Sequence, residues 1–259
     1  MSTEITTELI KELRDATGIS IMQCKRALTE AEGDMKKALA ILKKTSGDIA
    51  LKKADRETKD GRVSVKSENG KSVLVALHCE TDFVARNEDF VNLLSKLTDM
   101  AFKDGVDAMK GAAKEMIDPV IQKTGENIEL GEVYEVNGSV LGNYIHNDKI
   151  AVVVSLEGGN GELAKDIAMH IAAMKPEYLT EAEINEETKK TVMEIFQKEV
   201  ASLDKPEEIK KKMLDGKIAT YFKEKTLLNQ PFIKNSEETI ETLLNKAKAK
   251  IKEVKRYSI

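Results

Sequence analysis

Apolar residues recur every three or four positions through the first fifty residues, as Leu9, Ile10 and Leu13, then Cys24, Ala27 and Leu28, then Met35, Ala38, Leu39, Ile41 and Leu42. That spacing predicts three short helices. Thr6 or Thr7 can cap the first, and Gly18 can end it in the left-handed conformation. Ser20 and Gln23 have the spacing of a capping box for the second helix, which stops near Gly33. Asp34 can cap the third. Lys43 to Lys59 is basic, polar and Gly-containing, and reads as a linker.

The period then changes. Val63-Ser64-Val65-Lys66 alternates, Asn69-Gly70 is a hairpin turn signal, and Ser72 to Cys79 follows as a second strand. A helix from Asp89 to Lys103 comes next. Asp104 to Gly125 gives further helix, with an interruption expected at Pro119. The order then repeats: strand Val140 to Ile145, turn His146-Asn147-Asp148-Lys149, strand Ile150 to Leu156, loop Gly158-Gly159-Asn160-Gly161, helix Leu163 to Met174. Hairpin followed by helix, twice, predicts an α+β core of two related subdomains, each a small antiparallel sheet covered by helices. From Tyr178 to Lys225 the chain is Glu, Lys and scattered Ile, Val, Met, Leu and Phe for the most part. Two apolar stripes, Val192, Ile195, Phe196, Val200 and Ile209, Met213, Leu214, Ile218, Phe222, flank the breaker Asp204-Lys205-Pro206. They predict an inserted helical hairpin. The core resumes at Thr226 to Ile233, with a helix expected over Ser236 to Lys250 and a closing strand over Ile251 to Ile259. The expected organisation is an N-terminal helical module (1–54), a first core subdomain (55–139), a second (140–179 with 226–259) and the inserted hairpin (180–225).

Composition narrows the classes. Charged residues make up 33% of the 259 residues, aromatics 4%, and there is no Trp. The formal net charge of -4 argues against binding nucleic acid by phosphate neutralisation. Cys24 and Cys79 lie far apart and suggest neither a disulfide framework nor zinc spacing, which fits a reducing, cytoplasmic setting. The polar N-terminus does not read as a signal peptide, and no run is long and apolar enough to span a membrane.

Enzymatic chemistry finds little support. The histidines are His78, His146 and His170. His78 and Cys79 are adjacent on a strand and point to opposite faces, so they cannot form a nucleophile–base pair. Asp166 and His170 share a helix face, and a structural ion pair is expected there. Neither the phosphate-cradling loop nor the dinucleotide fingerprint is present. Gly158 to Gly161 reads as a flexible turn with a weak hint of anion binding. No catalytic residue, metal or cofactor is expected.

The most informative run is His78-Cys79-Glu80-Thr81-Asp82-Phe83-Val84-Ala85-Arg86, at a strand-to-helix turn where loops carry function. Two readings stand there. Phe83 can tuck under the following helix while Asp82 caps it; or Phe83, beside a carboxylate, can be an aromatic wedge for another protein's pocket. In the N-terminal module, Ile19 reads as a staple of the bundle, while Ile21 and Met22 are candidates for an exposed apolar patch.

Several runs together resemble the elongation factor Ts family, nucleotide-exchange factors of bacterial elongation factor Tu. They are Thr81-Asp82-Phe83-Val84-Ala85; Leu13 to Gly18 with Cys24 to Ala31; Ile167 to Ala173 with Lys175-Pro176; and Leu228-Asn229-Gln230-Pro231-Phe232. The N-terminal helices are similar in outline to ubiquitin-associated domains. The resemblance implies a two-point attack on elongation factor Tu. Thr81, Asp82, Phe83 and Val84 would enter near the magnesium side, and His146 with its hairpin would bear on the phosphate-loop side. Lys11, Arg14, Ile21 and Met22 would grip the partner's nucleotide domain. It leaves open whether the helical hairpin supports a homodimer or heterotetramer. Many members continue past the closing strand into a further helix, so the grip of that helix is expected to be missing in a chain that stops at Ile259. The competing class is a non-enzymatic adaptor whose helical module recruits a peptide or ubiquitin-like partner; Gly18-Ile19-Ser20-Ile21-Met22 only approximates the apolar loop such modules use.

Overall fold

The computed structural model describes residues 5–259. The reading of the extreme N-terminus as free of a signal peptide therefore falls partly outside the described residues. The chain forms two compact units. One takes the chain up to Glu135 with Ile145–Ala151 and Tyr257–Ile259; the other takes Val136–Tyr144 and Val152–Arg256.

The first unit opens with α1 (Thr7–Thr17), α2 (Ile21–Glu30) and α3 (Met35–Leu51). The cap chemistry is as expected. The Thr6 side chain accepts from Leu9 N, Gly18 ends α1 at φ 68°, and Asp34 accepts from Lys36 N and Lys37 N. Only half of the capping box forms at α2: Ser20 Oγ accepts from Gln23 N at 3.4 Å. The Gln23 side-chain Oε1 instead accepts from Gln122 Nε2 at 2.8 Å. Leu13, Cys24, Leu28 and Ala38 form a dry bundle core.

Helix α3 runs to Leu51, through much of the stretch that composition marks as a linker. Packing overrides composition here, because Ile49 and Ala50 join the core cluster that holds Met109, Ile117 and Ile121. Strands β1 (Asp60–Glu68) and β2 (Lys71–Cys79) pair antiparallel around Asn69-Gly70, at φ 50° and 77°. Then come α4 (Asp82–Ala85), α5 (Glu88–Asp104), α6 (Val106–Thr124) and β3 (Ile128–Asn137), which completes the sheet β1-β2-β3. Pro119 does not interrupt α6. The helix carries on because Ile117 and Ile121, on either side of the proline, are buried in the same cluster.

Strands β4 (Val140–His146) and β5 (Ile150–Glu157) form the second hairpin, whose tip, Ile145–Ala151, belongs to the first unit, and β8 (Lys250–Ser258) completes the sheet β4-β5-β8. Helix α7 (Gly161–Met174) is capped by Asn160, whose side chain accepts from Leu163 N at 2.9 Å. It lies so close to β4 that a Cβ on Gly142 would stand 2.2 Å from Lys165 N. Asn160 thus gives the Gly158–Gly161 loop a structural task. Helices α8 (Glu186–Ala201) and α9 (Glu207–Lys225) make the helical hairpin, and α9 buries none of its residues. The expected helix over Ser236 to Lys250 is shorter. Asn235–Thr239 is strand β7, paired with β6 (Pro231–Phe232), and helix α10 spans only Ile240–Lys246. Thr239 caps α10 by accepting from Thr242 N, which moves the helix start four residues along.

Candidate partner-binding site

Strand β2 delivers the chain into the turn that carries Phe83. The Cys79 thiol donates to Thr81 O at 3.2 Å. Thr81 has extended backbone angles and caps α4, its Oγ1 accepting from Val84 N at 3.4 Å. Its N–H and hydroxyl both donate to the Glu126 carboxylate, at 3.0 and 2.7 Å. Beside it, Glu80 accepts from the backbone N–H of buried Asn127 at 2.6 Å. The turn is therefore fastened by the Glu126 side chain and the Asn127 backbone N–H, from the segment that follows α6.

On that base, Val84 and Ala85 face inward and Phe83 is 83% exposed. The tucked reading of Phe83 is corrected: the cap is Thr81, so Asp82 is free to pair with Arg86, at 2.8 Å, one turn on. Phe83 is thus a large exposed ring on a base fastened by Glu126.

His146 opens the turn between β4 and β5. Asn147 and Asp148 both take positive φ, 49° and 58°, which is the geometry of a tight two-residue hairpin turn. His146 is exposed, with Asn147 Nδ2 3.3 Å from its Nε2. An open cleft of about 280 Å³ is lined by Arg62, Asp82, Arg86, Asn147, Asp148 and Lys149. The base of the wedge and the hairpin tip thus border one cavity, although more than sixty positions separate them in the chain.

In the bundle, Ile21 and Met22 are 53% and 68% exposed while Ile19 is buried. Lys11 and Arg14 are exposed on α1.

The remaining histidines have structural tasks. Burial lowers the His170 pKa. Its Nδ1 accepts from Ile233 N at 3.3 Å, so Nε2 carries the proton toward Gln230 Oε1 at 2.8 Å. The expected Asp166–His170 ion pair does not form; Asp166 pairs with Lys234 at 2.6 Å. A neutral, buried imidazole finds its partner in an amide, and the Asp166 carboxylate is matched by a lysine instead. His78 Nε2 lies 2.7 Å from the Tyr257 hydroxyl, and burial lowers its pKa as well. Among the described residues, no three His, Cys, Asp or Glu side chains gather as metal ligands. No helix among them is long and apolar enough to cross a membrane.

Sequence reasoning missed Glu126 and Asn127, which hold the wedge turn. The local signal was thin: a left-handed Gly125 ending α6, then an acid and an amide.

Residues 80–259 match the family model described as Elongation factor TS, and residues 6–43 match a UBA-like domain. The chain belongs to the elongation factor Ts family. Its relatives include the protein named Elongation factor Ts of Hahella chejuensis, 41% identical over 98% of this chain and 92% of that one. Those of Cellvibrio japonicus (38%; 98% and 90%) and Nitrosospira multiformis (39%; 96% and 87%) are similar. The family match begins at Glu80, the residue that opens the wedge turn, and the UBA-like match covers α1, α2 and the first half of α3.

Proposed function

We propose that this chain binds elongation factor Tu and promotes the release of GDP, without covalent chemistry, by disturbing the partner's magnesium and phosphate-binding regions. The observation that carries the reading is Phe83, 83% exposed beside Asp82 on a turn held by Glu126. Phe83, Asp82, Thr81 and Val84 act at the magnesium side, and His146 at the phosphate-loop side. Ile21, Met22, Lys11 and Arg14 grip the nucleotide domain. Thr81, which caps α4, and Val84, which is buried beneath it, also hold the turn in place.

A protein that prefers the nucleotide-free state lowers nucleotide affinity by the same factor by which the nucleotide lowers its own binding. A swing from about 1:99 to 99:1 needs about 5.5 kcal/mol of differential affinity. One buried aromatic does not supply that alone, so the several contact points must act together.

The test is the affinity for purified elongation factor Tu, by calorimetry, with and without GDP and magnesium. A large weakening by GDP, reduced in Asp82→Ala and Phe83→Ala and less so in His146→Ala, is expected. An affinity indifferent to GDP would identify an adaptor that docks elsewhere.

A further inference from the structure

We propose that Asp60, Arg62, Asp148 and Lys149 are positioning residues: their two crossed ion pairs clamp the His146 hairpin tip to β1, the strand paired with the one that launches Phe83, so that both contact points reach the partner as one rigid body. The proposal rests on the exchange-factor reading and adds to it how the two points are kept in register.

A two-residue hairpin tip ordinarily ends in solvent. This one is tied down on both sides. Val63 N donates to Asp148 O at 2.8 Å, and Ile259 N donates to Lys149 O at 2.9 Å. Arg62 pairs with the Asp148 carboxylate and Lys149 with that of Asp60. Lys149 Nζ also donates to Gly61 O at 2.7 Å. Asp60 and Arg62 are two apart on β1 and so share a face of the strand.

The signs alternate on both partners: Asp60 and Arg62 on the strand, Asp148 and Lys149 on the tip. A slip that exchanged the partners would oppose acid to acid and base to base, so the charge pattern admits one register. Burial tends to raise the Asp60 carboxyl, but Lys149 and the Gly61 N–H together hold it below its ordinary range, so the carboxylate stays charged.

The link onward to Phe83 is the β1–β2 register. Asp60 stands opposite Cys79, and Gly61 opposite His78. Strand β1 approaches so closely that a Cβ on Gly61 would meet Leu77 O at 2.2 Å. The residue that grips Lys149 is thus paired with the strand end whose thiol donates to Thr81 O, the start of the wedge turn. Because both pairs are partly exposed, their effect on global stability is small. Their effect on where His146 stands is not.

The experiment combines two readouts on Asp60→Lys, Lys149→Asp and the double charge swap. In the isolated protein, hydrogen exchange at the Val63 and Ile259 amides should quicken in each single variant and return toward the original rate in the swap. In GDP release from elongation factor Tu, each single variant should lose roughly fivefold, the scale of one misplaced contact. That loss should not multiply with His146→Ala, and the swap should recover most of it. Unchanged amide protection in the single variants overturns the clamp. So do losses that multiply with His146→Ala or that the swap fails to recover. An original chain that leaves GDP release unchanged defeats the exchange-factor reading itself, whatever the amides show.

Discussion

Replacing Phe83 by Ala separates interface from core. Fully burying a phenylalanine side chain contributes about 1.5–3 kcal/mol. With 83% of the residue exposed, most of that gain is still available to a partner. The share is about 1.2–2.5 kcal/mol, which at about 1.4 kcal/mol per tenfold is a factor of roughly 7 to 60 in affinity. The fold should hardly notice, since α4 is anchored by Val84, Ala85 and the Thr81–Glu126 contacts, none of which the substitution touches. Surface changes of this kind stay within about 0.5 kcal/mol. Urea unfolding of the isolated variant should therefore superpose on that of the original chain, while release of a fluorescent GDP analogue from elongation factor Tu slows by the stated factor. Equal release rates with equal stability would refute the wedge. A stability loss above about 2 kcal/mol would show that the ring supports the fold.

Thr81→Val removes both the α4 cap and a hydrogen bond to a carboxylate, at about 1 and about 1.5–3 kcal/mol respectively. It should raise hydrogen exchange across the turn and lower GDP release together, whereas loss of release with a protected turn would point to direct contact. Ile21→Ala with Met22→Ala should weaken partner binding severalfold in calorimetry without shifting the melting temperature, because both side chains are more than half exposed. Unchanged affinity would remove them from the interface. Because burial depresses the folded pKa of His170, the unfolded chain takes up a proton first as the pH falls below about 6.5. Its contribution to stability is therefore level above that pH and declines below it, toward the lower folded value. His170→Gln should flatten that decline in urea unfolding between about pH 7 and 5, and an unaltered slope would assign it to other groups.

Local rules read from the sequence held where the deciding contact was local. The caps at Thr6, Ser20 and Asp34 and the turn at Asn69-Gly70 each depend on atoms within four residues, and each formed. What local rules missed was long-range. Strand β3 alternates poorly, with Gly131 and several acids in its run, and it exists because β2 offers it an edge. Helix α6 passes through Pro119 because buried neighbours outweigh one lost hydrogen bond. Helix α10 begins late because β6 claims its first residues as a strand partner. At the site, the run around Phe83 was legible as a turn, but its exposure was decided by Glu126 and Asn127, more than forty residues away. That the Asp82 turn and the His146 tip line one cleft is likewise a product of the fold.

The two cysteines, both fully shielded from solvent, give this protein built-in clocks of local opening. Burial first, and the charges of Asp60 and Glu126 next, push the Cys79 thiol up to about 12. Alkylating reagents react with the thiolate, so Cys79 is silent until the turn beneath Phe83 comes apart. Cys24 sits in the three-helix core and is silent until that bundle opens. Mass-resolved labelling of the unmodified chain would therefore time the two regions separately. Adding a partner would show which of them it holds shut, with no engineered probe at either place.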